Sequence, residues 1–209
     1  MNKLFSLLLG AFLVIAGGNG VLAQQENAAG VELAPDMAMG EPDAPIVVIE
    51  YASYTCPHCA RFDTEVLPQL KADYIDTGKV LFIHREIYFD RFGLWAALLA
   101  RCGDGTRYFG MNDMIYSTQS DWLGSGDPQE VVTNLRKMGR LAGMEDAQIT
   151  ACLEDSETAQ QLVATFQHYS EADGINSTPT FMINDVKYSN MSYADFKEIL
   201  DGLLADMTE

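Results

Sequence analysis

The sequence predicts an α/β fold: a small mixed sheet flanked by helices, with a helical insertion between its two halves. Two observations predict this fold, a strand–helix–strand pattern in the first half of the chain and a strand–strand–helix pattern near its end. Only helical patterns lie between them. A strand–helix–strand unit in one sheet is joined by a right-handed crossover, so its two strands should be parallel. The length of 209 residues suits one domain that carries such an insertion.

The first 23 residues have the layout of a secretory signal peptide. Lys3 precedes an apolar run over residues 4–16, and small or apolar residues end at Ala23, after which we expect cleavage. The alternative, a membrane anchor, is disfavoured because the run is short for a hydrocarbon core of about 30 Å. Residues 24–45 are polar and rich in Ala, Gly and Pro, and we expect them to form an N-terminal arm of a soluble, exported protein.

The first half of the sheet is predicted from residues 46–90. Residues 46–49 are a continuous β-branched and apolar run, typical of a strand buried on both faces. From Pro57 onward, apolar residues recur every three or four positions, which predicts a helix that Pro68 kinks. A second strand is expected over residues 79–84.

Residues 91–172 contain no strand pattern and are predicted to form the helical insertion. The helices are expected at 94–102, 108–117, 128–142, 146–153 and 156–172. Residues 173–209 complete the sheet domain, with strands at 180–183 and 186–188 joined by a two-residue turn, and a final helix capped by Ser192.

The charge of the chain restricts its partners. The formal net charge is −17 at pH 7, with 30 acidic side chains against 13 Lys and Arg. Nucleic acids and anionic membrane surfaces both favour positively charged proteins, so neither is expected as a partner.

The strongest chemical signal is Cys56-Pro57-His58-Cys59, at the junction between a predicted strand and a predicted helix. A helix N-terminus presents unpaired N–H groups and about half a positive charge, and Pro57 suits its first position. A Cys56 thiolate there is stabilised, which lowers its pKa and favours the dithiol over the disulfide. His58 adds a nearby donor, and a positive charge when protonated. We therefore predict an oxidising pair in which Cys56 is the attacking residue and the less exposed Cys59 resolves the mixed disulfide.

Two other interpretations of the Cys-x-x-Cys motif are weaker. A zinc site needs further ligands, and the only histidines, His58, His84 and His168, have no paired spacing, so no metal is expected. A structural disulfide across two residues closes too small a loop to stabilise the fold much.

Cys102 and Cys152 lie alone in the helical block, and the simplest pairing joins them to each other in a structural disulfide. Such a loop is worth on the order of 4 kcal/mol in the chain-entropy model. Two buried free thiols are the alternative.

A Thr178-Pro179 pair precedes the strand predicted at 180–183. Proline is allowed at the first position of a strand because its missing N–H need not join the ladder. Base rates favour a trans bond, since about 5–6% of X-Pro bonds are cis.

Together, the Cys-Pro-His-Cys motif after an apolar strand, the late Thr178-Pro179 and the helical block resemble the DsbA family of periplasmic thiol oxidases, members of the thioredoxin superfamily. The resemblance extends from about residue 40 to residue 204. It implies a thioredoxin fold and a periplasmic, monomeric enzyme that donates a disulfide to folding exported proteins. It also implies that Pro179 is cis and packs against the cysteine pair, with Thr178 offering its backbone to an extended substrate.

The resemblance further implies that no bound cofactor is needed besides the redox-active Cys56–Cys59 disulfide. Reoxidation would then depend on a quinone-linked membrane partner of the DsbB type. Glu50, which ends the first strand, lies where thioredoxin-like proteins often carry a buried acid that exchanges a proton with the second cysteine, here Cys59. A solvent-facing Glu50 is an equal alternative.

Two rival functions share the predicted fold. A disulfide isomerase or reductase would use the same thiol–disulfide exchange in the reverse direction. Exported isomerases of this kind usually carry an N-terminal dimerisation domain, for which residues 24–45 are too few. A redox-inert chaperone or binding module would not need an intact Cys56–Cys59 pair.

Overall fold

The computed structural model describes residues 30–207. The predicted signal peptide, residues 1–23, lies outside the described residues, as does the start of the N-terminal arm. Within the described part of the chain, no helix is long and apolar enough to cross a membrane.

Five strands form one mixed sheet in the order β1-β3-β2-β4-β5. They are β1 (Met37–Met39), β2 (Ile46–Ala52), β3 (Val80–Glu86), β4 (Thr180–Ile183) and β5 (Val186–Ser189). The predicted parallel pairing of β2 with β3 is confirmed, and every other pairing is antiparallel. Because β2 lies between β3 and β4, a residue of β2 such as Glu50, which pairs with His84 and Phe181, is at the centre of the sheet.

Strand β1 was not predicted, and it shows that the N-terminal arm is part of the sheet. It pairs with the outer edge of β3, and Asp36 just before it accepts two 2.8 Å hydrogen bonds from the Arg85 guanidinium of β3. The backbone N–H of Ala34 also donates to Thr165 of the insertion. The arm therefore ties the sheet to the helical block.

The helix that follows the cysteine motif is irregular, as Pro68 predicts. α1 (Pro57–Arg61) and α2 (Leu67–Leu70) are separated by a π-helical turn over Phe62–Val66, and a second π turn follows over Lys71–Ile75. Pro68 has no N–H to donate to the preceding turn, and the widened turn ends just before α2.

The insertion consists of helices, and α9 completes the sheet domain. They are α3 (Arg91–Ala100), α4 (Tyr108–Ser117), α5 (Gln119–Leu123), α6 (Pro128–Leu141), α7 (Asp146–Leu153), α8 (Ser156–Ala172) and α9 (Tyr193–Asp206). α4, α7 and α8 have the predicted bounds, Ser192 caps α9 as predicted, and α5 was not predicted. Cys102, just after α3, forms the predicted disulfide with Cys152 of α7.

Two hydrophobic cores meet at the cysteine motif. One fills the insertion and includes Tyr54 and Cys59. The other lies in the sheet domain and includes Phe62, one turn further along, packed against Phe181 and Phe196. The helix that begins at the motif is therefore anchored on both sides.

Candidate active site at the Cys56–Cys59 pair

Cys56 is the accessible sulfur of the pair. It is half-buried, caps the N-terminus of α1 in an extended conformation, and its free thiol lies 3.5 Å from the carbonyl oxygen of Thr178. A hydrogen bond from the Cys59 thiol, with the Thr178 side chain and the backbone N–H groups of Cys59 and His58, lowers the pKa of Cys56 to about 5. The thiol is therefore ionised at neutral pH, and the N–H groups of the helix terminus contribute less to this shift than the Cys59 thiol does.

Cys59 differs from Cys56 in both its exposure and its pKa. Its side chain is fully buried inside the first turn of α1. Burial raises the pKa of Cys59 far above its ordinary value, and the hydrogen bond to Cys56 and the nearby Glu50 raise it further. Two sulfurs three residues apart thus differ in the way that a nucleophile and a resolving thiol differ.

The Thr178–Pro179 loop lies against the pair. Its peptide bond is cis, as the family resemblance implies, although the sequence alone favours trans. The contact between the Thr178 carbonyl and Cys56 places this loop directly beside the reactive sulfur.

His58 is exposed, and Arg61 donates to its Nδ1 over 2.7 Å. Because a guanidinium can only donate, Nδ1 is the acceptor in this contact. Beside them opens a groove of about 620 Å³ between the start of the first helix and the β5–α9 connection. Its walls include Phe62, Val66 and Met191.

Residues that the sequence did not single out hold the motif in place. The side-chain amide of Gln119, in the unpredicted α5, donates to the backbone carbonyls of Tyr54 (2.8 Å) and Cys56 (3.0 Å). Thr55 donates to Asp90, which caps α3. The insertion therefore positions the cysteine loop through α5 and α3.

Glu50 is buried, which decides between the two interpretations of this residue. Only 1% of its surface is accessible, and neither carboxyl oxygen has a hydrogen-bond partner. Burial, reinforced by Asp63 and Cys56, raises the pKa of Glu50 well above its ordinary value. Burial therefore favours the protonated, neutral form of this carboxyl near the pair.

His84 lies 3.9 Å from Glu50, yet the two do not form an ion pair. Burial lowers the pKa of His84 to about 4, so the imidazole is neutral as well. His84 also contacts Tyr108 (2.7 Å) and Tyr116 (3.2 Å) through its two ring nitrogens.

Asp63 is a second buried acid near the pair, one turn after Cys59, and the sequence analysis did not identify it. Burial, with the nearby Asp113, raises the pKa of Asp63 to about 7, although a 2.9 Å hydrogen bond from Asn112 partly opposes the shift. The i, i+4 spacing to Cys59 is the only signal in the sequence that could have found it.

Between Gly30 and Met207 no group of three or more His, Cys, Asp or Glu side chains is placed to hold a metal ion. His168 is exposed on α8, and His84 is engaged with tyrosines, so the histidines are dispersed.

Comparison with known proteins identifies the family. A family model described as thioredoxin matches residues 32–202. A Rickettsia bellii protein, provisionally named a protein-disulfide oxidoreductase, is 35% identical over 172 residues, which are 82% of this chain and 65% of that protein. Disulfide bond formation protein D of Bacillus subtilis is 26% identical over 173 residues, covering 79% of this chain and 74% of that protein.

Solved structures of similar proteins indicate the same family. Wolbachia pipientis alpha-DsbA1 superposes with a TM-score of 0.78 and 30% identity, over 87% of this chain and 97% of that one. Oxidised BdbD from Bacillus subtilis has a TM-score of 0.72 over 87% and 97% of the two chains, and its 21% identity shows the fold alone. The chain spans just under two thirds of the length of the Rickettsia relatives it matches. The thioredoxin fold with a helical insertion is confirmed, and the chain belongs to the thioredoxin family, within its DsbA group.

Proposed function

We propose that this protein is an exported thiol–disulfide oxidoreductase that donates the Cys56–Cys59 disulfide to cysteines of folding exported proteins. Relatives and structural neighbours that carry disulfide-oxidoreductase or DsbA names support this function. Its action in the periplasm, after cleavage behind Ala23, rests on the predicted signal peptide.

The observation that carries the proposal is the asymmetry between the two sulfurs. A pKa of about 5 at Cys56 means that the dithiol form gains a stabilised thiolate that the disulfide form lacks. This difference favours reduction of the enzyme, and hence oxidation of its substrate.

The reaction then follows from the geometry. A substrate thiolate attacks Cys56 Sγ, the Cys56–Cys59 bond breaks, and its electron pair leaves on Cys59 Sγ, which takes a proton from the Glu50 carboxyl. A second substrate thiolate attacks the substrate sulfur of the mixed disulfide and releases Cys56 as a thiolate. Two substrate thiols have become one disulfide, and the enzyme holds the two electrons.

The substrate is an extended segment of an unfolded or folding chain. The backbone of Thr178, next to Pro179, would pair with it by strand addition. The groove lined by Phe62, Val66 and Met191 offers apolar surface beside His58 for its side chains.

The dithiol enzyme must pass its two electrons on, and we infer a membrane oxidase of the DsbB type, linked to quinones, as the acceptor. No cofactor is bound by the enzyme in this scheme. We expect the protein to act as a monomer.

The first test is the redox equilibrium of the Cys56–Cys59 pair with glutathione, measured in a variant with Ser at Cys102 and Cys152 so that only one pair reports. We expect a potential well above that of glutathione, and an alkylation rate of Cys56 that reaches half its maximum near pH 5. A reducing, thioredoxin-like potential would overturn the oxidase in favour of a reductase or isomerase. Unchanged substrate refolding by a variant with Ser at Cys56 and Cys59 would instead support a redox-inert chaperone.

A further inference from the structure

A chain of buried hydrogen bonds leads from an ion pair to the Glu50 carboxyl. It begins at Glu86 of β3, whose two carboxylate oxygens each accept a 2.8 Å hydrogen bond from Arg101. Although burial alone would raise the pKa of Glu86, the Arg101 guanidinium lowers it to about 2. Glu86 is therefore an anion that can only accept hydrogen bonds.

Tyr108 is the next member of the chain. Its hydroxyl lies 2.7 Å from Glu86, and because Glu86 has no proton, Tyr108 must be the donor. With its single proton committed, the Tyr108 oxygen can only accept from its other neighbours. These are the Tyr54 hydroxyl at 3.2 Å and His84 Nδ1 at 2.7 Å.

This arrangement determines the tautomer of His84. Since the Tyr108 oxygen accepts, Nδ1 of His84 carries the proton. The imidazole is neutral, so Nε2 carries no proton and can only accept, and the Tyr116 hydroxyl is the donor in their contact. Nε2 faces the Tyr116 hydroxyl at 3.2 Å and Glu50 Oε2 at 3.9 Å.

Glu50 is the neighbour of His84 on the adjacent strand, β2. Its buried oxygens have no hydrogen bond, although strand pairing places Glu50 directly beside His84. A neutral carboxyl needs an acceptor for its proton, whereas a carboxylate needs donors. The unprotonated Nε2, 3.9 Å away, has no N–H to donate and therefore does not stabilise a carboxylate.

We propose that His84 is a positioning residue: held as the Nδ1–H tautomer by Tyr108, it turns an unprotonated nitrogen towards Glu50, offers that carboxyl no N–H donor, and so keeps it protonated until Cys59 needs the proton. This role rests on the proposed function, in which the Glu50 proton moves to the departing Cys59 sulfur and leaves a carboxylate. A protonated or Nε2–H imidazole would instead stabilise the carboxylate and withhold the proton.

Other ionisable groups also surround Glu50 and His84, and the test must separate their effects. Those facing Glu50 are His84 of β3, Asp63 of the first π turn, Cys56 and Cys59 of the motif, and Tyr116 of α4. Those facing His84 are Glu50, Glu86, Arg101, Tyr54, Tyr108 and Tyr116.

The direct test is ¹⁵N NMR of the whole protein labelled at histidine, in the dithiol form at pH 7. The three histidines are assigned by their loss in H58S, H84Q and H168Q variants. We expect the His84 signals to show a protonated Nδ1 and an unprotonated Nε2. A protonated Nε2 would overturn the proposal, and the tautomer is read on the wild-type protein without any measurement of activity.

A matched pair of variants tests the consequence. Tyr108→Phe removes the acceptor of Nδ1–H, so we expect His84 to change to the Nε2–H tautomer and the pKa of Glu50 to fall, measured by ¹³C NMR of its carboxyl. Reduction of the Cys56–Cys59 disulfide by a small dithiol should slow by on the order of 10-fold. Tyr54→Phe removes a hydroxyl that bonds Tyr108 but not His84, and should leave both the tautomer and the pKa of Glu50 as they are.

The outcomes separate this proposal from the proposed function. If Y108F changes the tautomer but not the pKa of Glu50, the positioning role is wrong even where the wild-type enzyme is a strong oxidant. If the wild-type potential is reducing, the oxidase is wrong even where His84 has the expected tautomer.

Discussion

Glu50 and Glu86 occupy neighbouring strands and are both buried, yet their pKa values are shifted in opposite directions. Glu86 accepts two hydrogen bonds from Arg101 and one from Tyr108, and its pKa is lowered to about 2. Glu50 has no hydrogen-bond partner, and burial raises its pKa well above the ordinary value. The difference teaches that partners, more than depth, decide whether a buried carboxyl is an anion.

The two acids consequently serve different purposes. The Glu86–Arg101 pair connects β3 to the end of α3, so it joins the sheet to the insertion. The raised pKa of Glu50 does not stabilise the fold. Glu50 is instead close to Cys59, whose sulfur needs a proton when its bond to Cys56 breaks. One acid stabilises the fold and the other is available for chemistry.

The largest expected effect comes from removing the partner of Glu86. Arg101→Met leaves a buried carboxylate without a cation, and we expect the free energy of unfolding at pH 7 to fall by about 3–5 kcal/mol. The folded pKa of about 2 lies below the ordinary 4.5, so the ion pair contributes stability above pH 4.5 that is lost as pH falls through 2. The variant should lack this contribution. Urea unfolding across this pH range measures it.

A double variant controls for lost packing. Adding Glu86→Leu to Arg101→Met removes the unpaired charge, so much of the stability should return. If the single variant loses less than about 1 kcal/mol, Glu86 is not a buried anion that depends on Arg101.

Glu50→Gln should change stability in the opposite direction. The folded pKa of Glu50 is raised, so wild-type stability is full below pH 4.5 and falls as pH rises towards the folded value. The neutral variant lacks this loss, so we expect equal stability near pH 4 and a gain of about 1–3 kcal/mol at pH 7. Reduction of the disulfide should slow by at least about 10-fold, because the variant has no proton to give to Cys59.

Glu86→Gln is the matched control for that change, since it is the same substitution on the neighbouring strand. It leaves Arg101 without its anion and should lower the stability at pH 7. Parallel urea titrations of the two variants at pH 4 and pH 7 give the comparison, and shifts of the same sign in both would contradict it.

The sequence could predict Glu50 but not its contrast with Glu86. Glu50 could be singled out because it lies six residues before Cys56, and the continuous apolar run before it indicates a strand. Whether its side chain is buried depends on β4, which joins the sheet from more than 120 residues away and makes β2 central. The pairing of Glu86 with Arg101 depends on how the end of α3 packs against β3. This packing cannot be predicted from the pattern of apolar residues in either element.

Other parts of the site show the same limit. Local signals, such as strand and helix periodicity, caps and the Cys-x-x-Cys spacing, predicted most elements and singled out the two cysteines of the candidate site. Gln119 lies in a five-residue helix without a cap signal, and it reaches the carbonyl of Cys56 only through tertiary packing. β1 is three residues long and forms because the edge of β3 is available to pair with it.

Asp63 has fewer hydrogen-bond donors than Glu86 and more than Glu50, and its removal has the smallest expected effect. It has one hydrogen-bond donor, Asn112, and a pKa raised to about 7, so it ionises near neutral pH. Its folded pKa lies above the ordinary 3.8, so wild-type stability falls as pH rises from about 4 through 7. Asp63→Asn should flatten this slope and gain about 1 kcal/mol at pH 8.

The same variant also sharpens the account of Glu50. Because the Asp63 charge contributes to the raised pKa of Glu50, its loss should lower that pKa and move the pH profile of disulfide reduction to lower pH. Asp113→Asn, at an exposed neighbour of Asp63, is the control and should change the profile much less, since solvent and salt screen its charge. Equal profiles for D63N and wild type would mean that the Glu50 proton is held by burial and His84 alone, with no contribution from the second acid.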